Sequence, residues 1–346
     1  MKLHIAEMLR SQGRHISFHT PGHKKRGADI TELSYSDCLV SPTGVLARAE
    51  ADIAEILGAV RSFILTDGST CGVFSMIAAL KAGGVQSLAV PAFSHPSVGH
   101  ACGVLGVKLI PVPQEVRYGI PVQPAGDAIE KAVASADALL LTSPDYYGNL
   151  APLAAAKRLC GEAGKPLAVD GAHGGHLHFT DLHAGRFADL WVDGVHKSLP
   201  AFTQGAVVSA KTAQWGELLK ESVKLFRTTS PSYPIMASVE YAVKYPRNER
   251  VERAAEALKS DMGAVKNVDW SKIVVPFADA GAAQAFLERK GVYAEFNDGN
   301  YVMFYLSPCT KERELKKLAR LAAKLPRTEV AQDAPAGAIP MYAEEA

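Results

Sequence analysis

No stretch of this 346-residue chain is apolar for long enough to cross a bilayer as a helix, since Gly, Lys or Pro interrupts the longest candidates. Charge of one sign is also missing. Lys and Arg total 37 against 36 Asp and Glu, a net charge of +1, which leaves no field to hold a nucleic acid backbone or an anionic membrane. Cysteine is scarce, with five residues (38, 71, 102, 160 and 309) scattered and without a CxxC pair. That excludes a disulfide framework and a zinc finger and fits a reducing cytoplasm. The opening MKLHIAEMLR lacks the apolar run of a signal peptide and reads as a short amphipathic helix. What is present, 48% hydrophobic and 21% charged residues, suits a folded soluble enzyme with one large α/β unit and a small one.

Short β-rich runs alternate with helical segments through the first two thirds. Strands are predicted at 63–66, 87–91, 107–112, 138–142, 167–170, 190–193 and 205–209, with helices at 70–82, 95–105, 124–134 and 152–163. This rhythm predicts a mostly parallel sheet with helices on both faces, and ligands in such sheets bind at the carboxyl ends of the strands. A long helical stretch over 233–263, with Pro246 placed to break it, leads into a β-α-β-β-α series at 272–276, 282–290, 292–296, 301–306 and 311–325. The expected division is an N-terminal arm (1–46), a large unit (47–232), a long helix with a small α+β unit (233–325) and a tail (326–346).

Candidate chemistry sits where strands end. Leu190–Pro200 (LWVDGVHKSLP) places Lys197 after a strand, where partial burial makes an amine nucleophilic; a lone lysine there would be an ordinary solvated one. Twenty-seven residues earlier Asp170 closes another apolar strand in LAVDGAHG. A carboxylate and a lysine so disposed match a pyridoxal phosphate site, the Asp pairing with the pyridine nitrogen and the Lys holding the aldehyde carbon. The alternative for Asp170 is a helix cap. Thr66–Gly72 (TDGSTCG) offers Ser69 and Thr70 at a helix start as a phosphate cradle, or simply as a cap. His95 in FSHPS could stack on a cofactor ring, and Tyr146 in TSPDYYG could line its pocket; both segments also read as turns.

Four histidines in eleven residues (173, 176, 178 and 183) raise a metal reading, but HExxH is missing and the spacing suits no common helix-borne ligand pair, so no metal is expected. A GxSxG elbow is missing too.

Phe18–Lys24 (FHTPGHK), DGSTCG, SHPS, TSPDYYG, VDGAHGGHLHF, HKSLPAFTQG and RTTSPSYPIMAS occur in the order found in bacterial ornithine/lysine/arginine decarboxylases, which the chain resembles from about His19 to Ser238 and more weakly over 291–308. The resemblance implies a fold-type I pyridoxal phosphate enzyme of aspartate aminotransferase architecture, active as a homodimer with shared sites and decarboxylating an amino acid, a basic one. It implies Lys197 as the Schiff-base lysine, Asp170 as partner of the pyridine nitrogen, Ala172 beneath the ring, His173 beside the reacting carbon and His95 over the ring. Ser69, Thr70 and His196 would serve the phosphate. His23 and Lys24 would line the entrance, and Thr228, Thr229 and Ser230 would lie at the dimer interface.

The chain departs from the family pattern at four places. Gly171 replaces a glutamate, Gly194 replaces a serine that binds phosphate, Pro96 replaces a lysine, and the segment after Ser238 is abbreviated, with most of the family's large C-terminal domain lacking a counterpart. Two other readings follow: an aminotransferase or other lyase on the same scaffold, or a homologue that binds cofactor or a partner without catalysis.

Overall fold

The computed structural model describes residues 2–12, 16–24, 27–124 and 126–328. Of the expected tail, residues 329–346 lie outside the described residues. The first elements are α1 (His4–Arg10), α2 (Val45–Leu57), β1 (Arg61–Leu65), α3 (Gly68–Ala82), β2 (Ser87–Pro91), α4 (Pro96–Leu105) and β3 (Lys108–Val112). A two-residue hairpin, β4 (Val116–Arg117) and β5 (Ile120–Pro121), precedes α5 (Gly126–Ser135), β6 (Ala138–Thr142), α6 (Leu153–Glu162), β7 (Leu167–Gly171) and β8 (Leu190–Asp193). After these come α7 (Val195–Ser198), β9 (Ala206–Ala210), α8 (Ala213–Phe226) and α9 (Tyr233–Val243).

Seven strands form one sheet in the order β1-β9-β8-β7-β6-β2-β3. The strands from β8 to β3 run parallel, while β9 lies antiparallel to both its neighbours, β8 and β1. Successive side chains of a strand face opposite sides, and here both sides are covered, so the central strands are apolar throughout. Leu139, Leu141, Leu167, Val169 and Trp191 pack into one core, and Leu140, Ala168, Leu190 and Val192 into the core on the other face. The carboxyl ends of β6, β7 and β8 point the same way, so the loops after Thr142, Gly171 and Asp193 emerge side by side.

A second, antiparallel sheet of order β10-β12-β11 follows α10 (Glu249–Asp261). It comprises β10 (Lys272–Pro276), α11 (Ala280–Arg289), β11 (Phe296–Asn297), β12 (Tyr301–Tyr305) and α12 (Glu312–Ala322). The strand expected over 292–296 is reduced to β11, which pairs with β12 at two positions. The helical stretch over 233–263 divides into α9 and α10 around Pro246, as proline's missing N–H dictates. The buried face of α9 (Tyr233, Met236, Val239, Ala242 and Val243) lies in the core of the large sheet, whereas α10 joins the core of the small one. The change of core therefore falls in the turn at 244–248, later than residue 233, because the apolar stripe of α9 faces the large sheet.

Candidate active site

Lys197 lies in the single turn of α7, which starts directly after β8. Its Nζ donates to His173 Nε2 at 3.2 Å. The other ring nitrogen, Nδ1, is buried without a partner. Burial, then the positive charges of Lys272 and Lys197, hold the imidazole far below its ordinary range, so it is neutral. Burial also depresses the lysine, against the opposing field of Asp170, so more of its amine is neutral at a given pH than in solvent.

Asp170 is 2% exposed on β7, and its Oδ1 accepts from the N–H of Ala172, which fixes the carboxylate at the strand end. His95 caps α4, its Nδ1 accepting from Ser97 N (3.2 Å) and Ser97 Oγ (2.7 Å). Burial lowers its pKa, and the charges of Asp170 and Lys197 act on it in opposite senses. His196 donates from Nδ1 to the Gly205 carbonyl at 3.0 Å. Ser69 and Thr70 stand in the first turn of α3, whose Gly68 has φ of +77°. Just before it Asp67 accepts from the backbone N–H of Thr228 at 3.3 Å, tying the 228–230 segment to the start of α3. Thr229 and Ser230 are exposed. Tyr146 meets His173 edge to face (5.0 Å) and donates to Glu295 Oε1 at 3.1 Å. His23 pairs with Asp29 at 3.0 Å, and Lys24 donates to the His19 carbonyl.

Ser94 Oγ after β2, Thr142 Oγ1 at the end of β6 and His173 Nδ1 after β7 are all buried without a partner. Each such atom costs about 1–3 kcal/mol unless something else satisfies it, and all three follow strands at the carboxyl edge of the sheet.

Four residues were not singled out from the sequence. Glu295, just before β11, opposes the lowering of both Lys197 and Lys272. Tyr305 stacks on His173 (centroids 5.8 Å, interplanar 20°) and donates to its carbonyl oxygen at 3.2 Å. Lys272 and Asp269 form a fully buried ion pair behind it. A lysine heading an otherwise apolar strand was the available signal.

The two glycine departures have a steric cause. A Cβ at Gly171 would stand 2.9 Å from the Val192 carbonyl oxygen, and one at Gly194 would stand 2.3 Å from that of Ala172. The ends of β7 and β8 approach too closely for a side chain. Gly194→Ala should therefore lower stability by about 1–3 kcal/mol, as overpacking does, and displace Lys197 three residues on; urea unfolding and Lys197 labelling would report both.

The four clustered histidines separate: His173 goes to Lys197, His176 to Asp269 (2.8 Å), His178 to the Gly175 carbonyl (2.7 Å) and His183 to Asp193 (3.1 Å). Burial lowers His178 to about 4. A folded pKa below the unfolded 6.5 gives a contribution that is complete above pH 6.5 and is lost as pH falls toward 4, on the order of 3 kcal/mol in all. His178→Gln keeps an N–H donor and removes the titration, so its stability should fall less over that window in urea melts at pH 7, 6 and 5.

The family model described as Orn/Lys/Arg decarboxylase, major domain, matches residues 22–279. The chain is 28% identical over 347 residues to the uncharacterized protein YaaO of Bacillus subtilis (strain 168), covering 86% of this chain and 72% of that one. It is also 28% identical over 284 residues to an arginine decarboxylase of the same organism, covering 70% of this chain and 55% of the relative. Among solved structures, the lysine decarboxylase LdcF of Francisella novicida shares the fold with a TM-score of 0.81 at 18% identity, over 93% of this chain and 59% of that one. The chain thus spans a little over half the length of these two decarboxylases.

Proposed function

Because the chain belongs to the Orn/Lys/Arg decarboxylase family, we propose that it decarboxylates a basic amino acid with pyridoxal 5'-phosphate held on Lys197. The observation that carries this reading is the convergence of Lys197, His173, Asp170 and His95 at the ends of β7 and β8 and the start of α4, beside three buried polar atoms without partners.

The donor set fits that cofactor. Asp170 suits a protonated ring nitrogen, Ala172 and His95 its two faces, Lys197 its aldehyde carbon, and Ser69, Thr70 and His196 its phosphate. Pyridoxal phosphate, when bound, supplies a conjugated cation that accepts the electron pair left as the bond from Cα to the carboxylate breaks. The protein's part is positional and electrostatic. Asp170 keeps a proton at the ring nitrogen, held to that task by the Ala172 N–H. Lys197 Nζ and His173 Nε2, in contact at 3.2 Å, carry the proton that returns to Cα. Tyr146 meets His173 edge-on and Tyr305 stacks on it, so two aromatic rings help enclose the imidazole. Glu295 is the carboxylate on hand for the distal cation of a basic substrate, with its Oε1 oriented by Tyr146.

The homodimer implied by the resemblance belongs to this proposal, with Thr228, Thr229 and Ser230 at the shared interface and His23 and Lys24 at the entrance. No described helix is long and apolar enough to cross a membrane, and a cytoplasmic setting is likewise proposed.

The test is a product assay with arginine, lysine and ornithine. Release of CO2 with the matching amine supports the reading. A keto acid in place of CO2 would replace it with aminotransfer, and absence of any turnover by folded, cofactor-loaded protein would replace it with a binding role.

A further inference from the structure

Lys272 is an unexpected residue to find behind the site. Its side chain is fully buried at the head of β10, where an aliphatic residue would avoid the desolvation of an ammonium. Three contacts hold it. Its Nζ donates to Asp269 Oδ2 at 3.1 Å and to the Asp145 carbonyl at 3.2 Å, and it lies 4.9 Å from the centroid of the Tyr305 ring. Asp269 in turn accepts from His176 Nε2 (2.8 Å) and from Ser271 N (2.9 Å) and Oγ (2.7 Å), which anchors the pair to the loop after β7. Tyr305 stands between this charge and His173, with its ring stacked on the imidazole and its hydroxyl donating to the His173 carbonyl.

We propose that Lys272 is a positioning residue of the active site: its clamped ammonium fixes Tyr305 against His173 and projects a positive field across the contact between His173 and Lys197. The proposal deepens the decarboxylase reading and rests on its assignment of those two residues. Lys272 thereby reaches the chemistry without touching it. Around His173 stand Lys197 from α7, His95 from the start of α4, Tyr146 after β6, Tyr305 from β12, and Asp269 and Lys272 at β10. Around Lys197 stand Asp170, Lys272 and Glu295; around Lys272 stand Asp145, Asp269, Glu295 and Tyr305. After burial, the Lys272 charge is the largest influence keeping His173 neutral, and it acts on Lys197 in the same sense. Removing it should move both titrations to higher pH.

The experiment uses the full chain. Lys272→Met removes the charge, Lys272→Arg retains it, and Lys272→Met with Asp269→Asn removes both members of the pair so that no buried carboxylate is stranded. Histidine ring 13C resonances report His173, identified by its loss in His173→Asn. The pH dependence of Lys197 acylation by acetic anhydride, read by peptide mass spectrometry after pyridoxal phosphate is removed, reports the amine. In Lys272→Met both midpoints should rise by about half a unit or more, leaving about threefold less neutral amine at a given pH, and Lys272→Arg should restore them. In the paired variant the loss of Asp269 offsets part of the change at His173, so Lys197 is the readout, and it decides the matter where Lys272→Met does not fold. An unmoved Lys197 midpoint in a folded variant lacking the charge, or an equal shift in Lys272→Arg, would overturn the proposal. Borohydride mapping of the wild type separates the two ideas: cofactor fixed elsewhere than Lys197 sinks the decarboxylase reading, whereas the titrations of the variants judge Lys272.

Discussion

Lys197→Ala should abolish attachment of pyridoxal phosphate while leaving the fold intact, and turnover should fall by about 10⁴-fold or more, because on the proposed assignment the variant loses both the anchoring amine and a proton donor. The fold should survive because α7 is a single turn whose buried members are Val195 and Ser198, and Lys197 itself is only partly enclosed. The variant also frees His173 Nε2 from its partner. The measurements are visible absorbance with added cofactor, borohydride reduction with peptide mapping, and circular dichroism. Full turnover by this variant would remove Lys197 from the site.

Asp170→Asn should leave the cofactor bound more weakly and reduce turnover by roughly 10³-fold, the scale of losing one preorganised charge from a water-excluded site. Asparagine is nearly isosteric, and its side-chain oxygen can still accept from the Ala172 N–H, so the strand end should keep its shape. What goes is the negative charge. That charge also opposes the lowering of both Lys197 and His95, so both titrations should move to lower pH in the variant. A loss of turnover without movement at Lys197 would point to a packing defect, and comparison of the acylation profiles of the two proteins distinguishes the cases.

The strands of the large sheet were legible because burial on both faces leaves an apolar run with no polar alternation to confuse it. In β6 and β7, for instance, Leu139 and Val169 go to one core while Leu140 and Ala168 go to the other. Helices α2 and α8 were not singled out. In α2 the apolar stripe is interrupted by Glu50, which is buried because Arg227, 177 residues away, neutralises it across another element. The hairpin of β4 and β5 is too short to carry a period. Residues at the ends of β7 and β8 could be read because their chemistry is local to a strand end. Lys272, Asp269, Glu295 and Tyr305 could not, since their meaning comes from packing the small sheet against the loop after β7, over more than ninety residues of intervening chain in the case of His176 and Asp269. The glycines at 171 and 194 were visible as departures, but the backbone crowding that requires them is a property of two strands in register.

The antiparallel β9 imposes an order of events on synthesis. Among the described residues it is the only strand neighbouring β1 in the large sheet, pairing Arg61 with Ala210 across nearly 150 residues. A chain emerging from the ribosome therefore presents β1 and the start of α3 long before the strand that seats them exists. Closing so long a loop is slow, and an unpaired strand is exposed to wrong partners meanwhile. The phosphate cradle proposed at Ser69 and Thr70 is thus made early and set in place late, so nascent chains arrested before residue 206 should be unable to retain the cofactor even though Asp170 and Lys197 have already been synthesised.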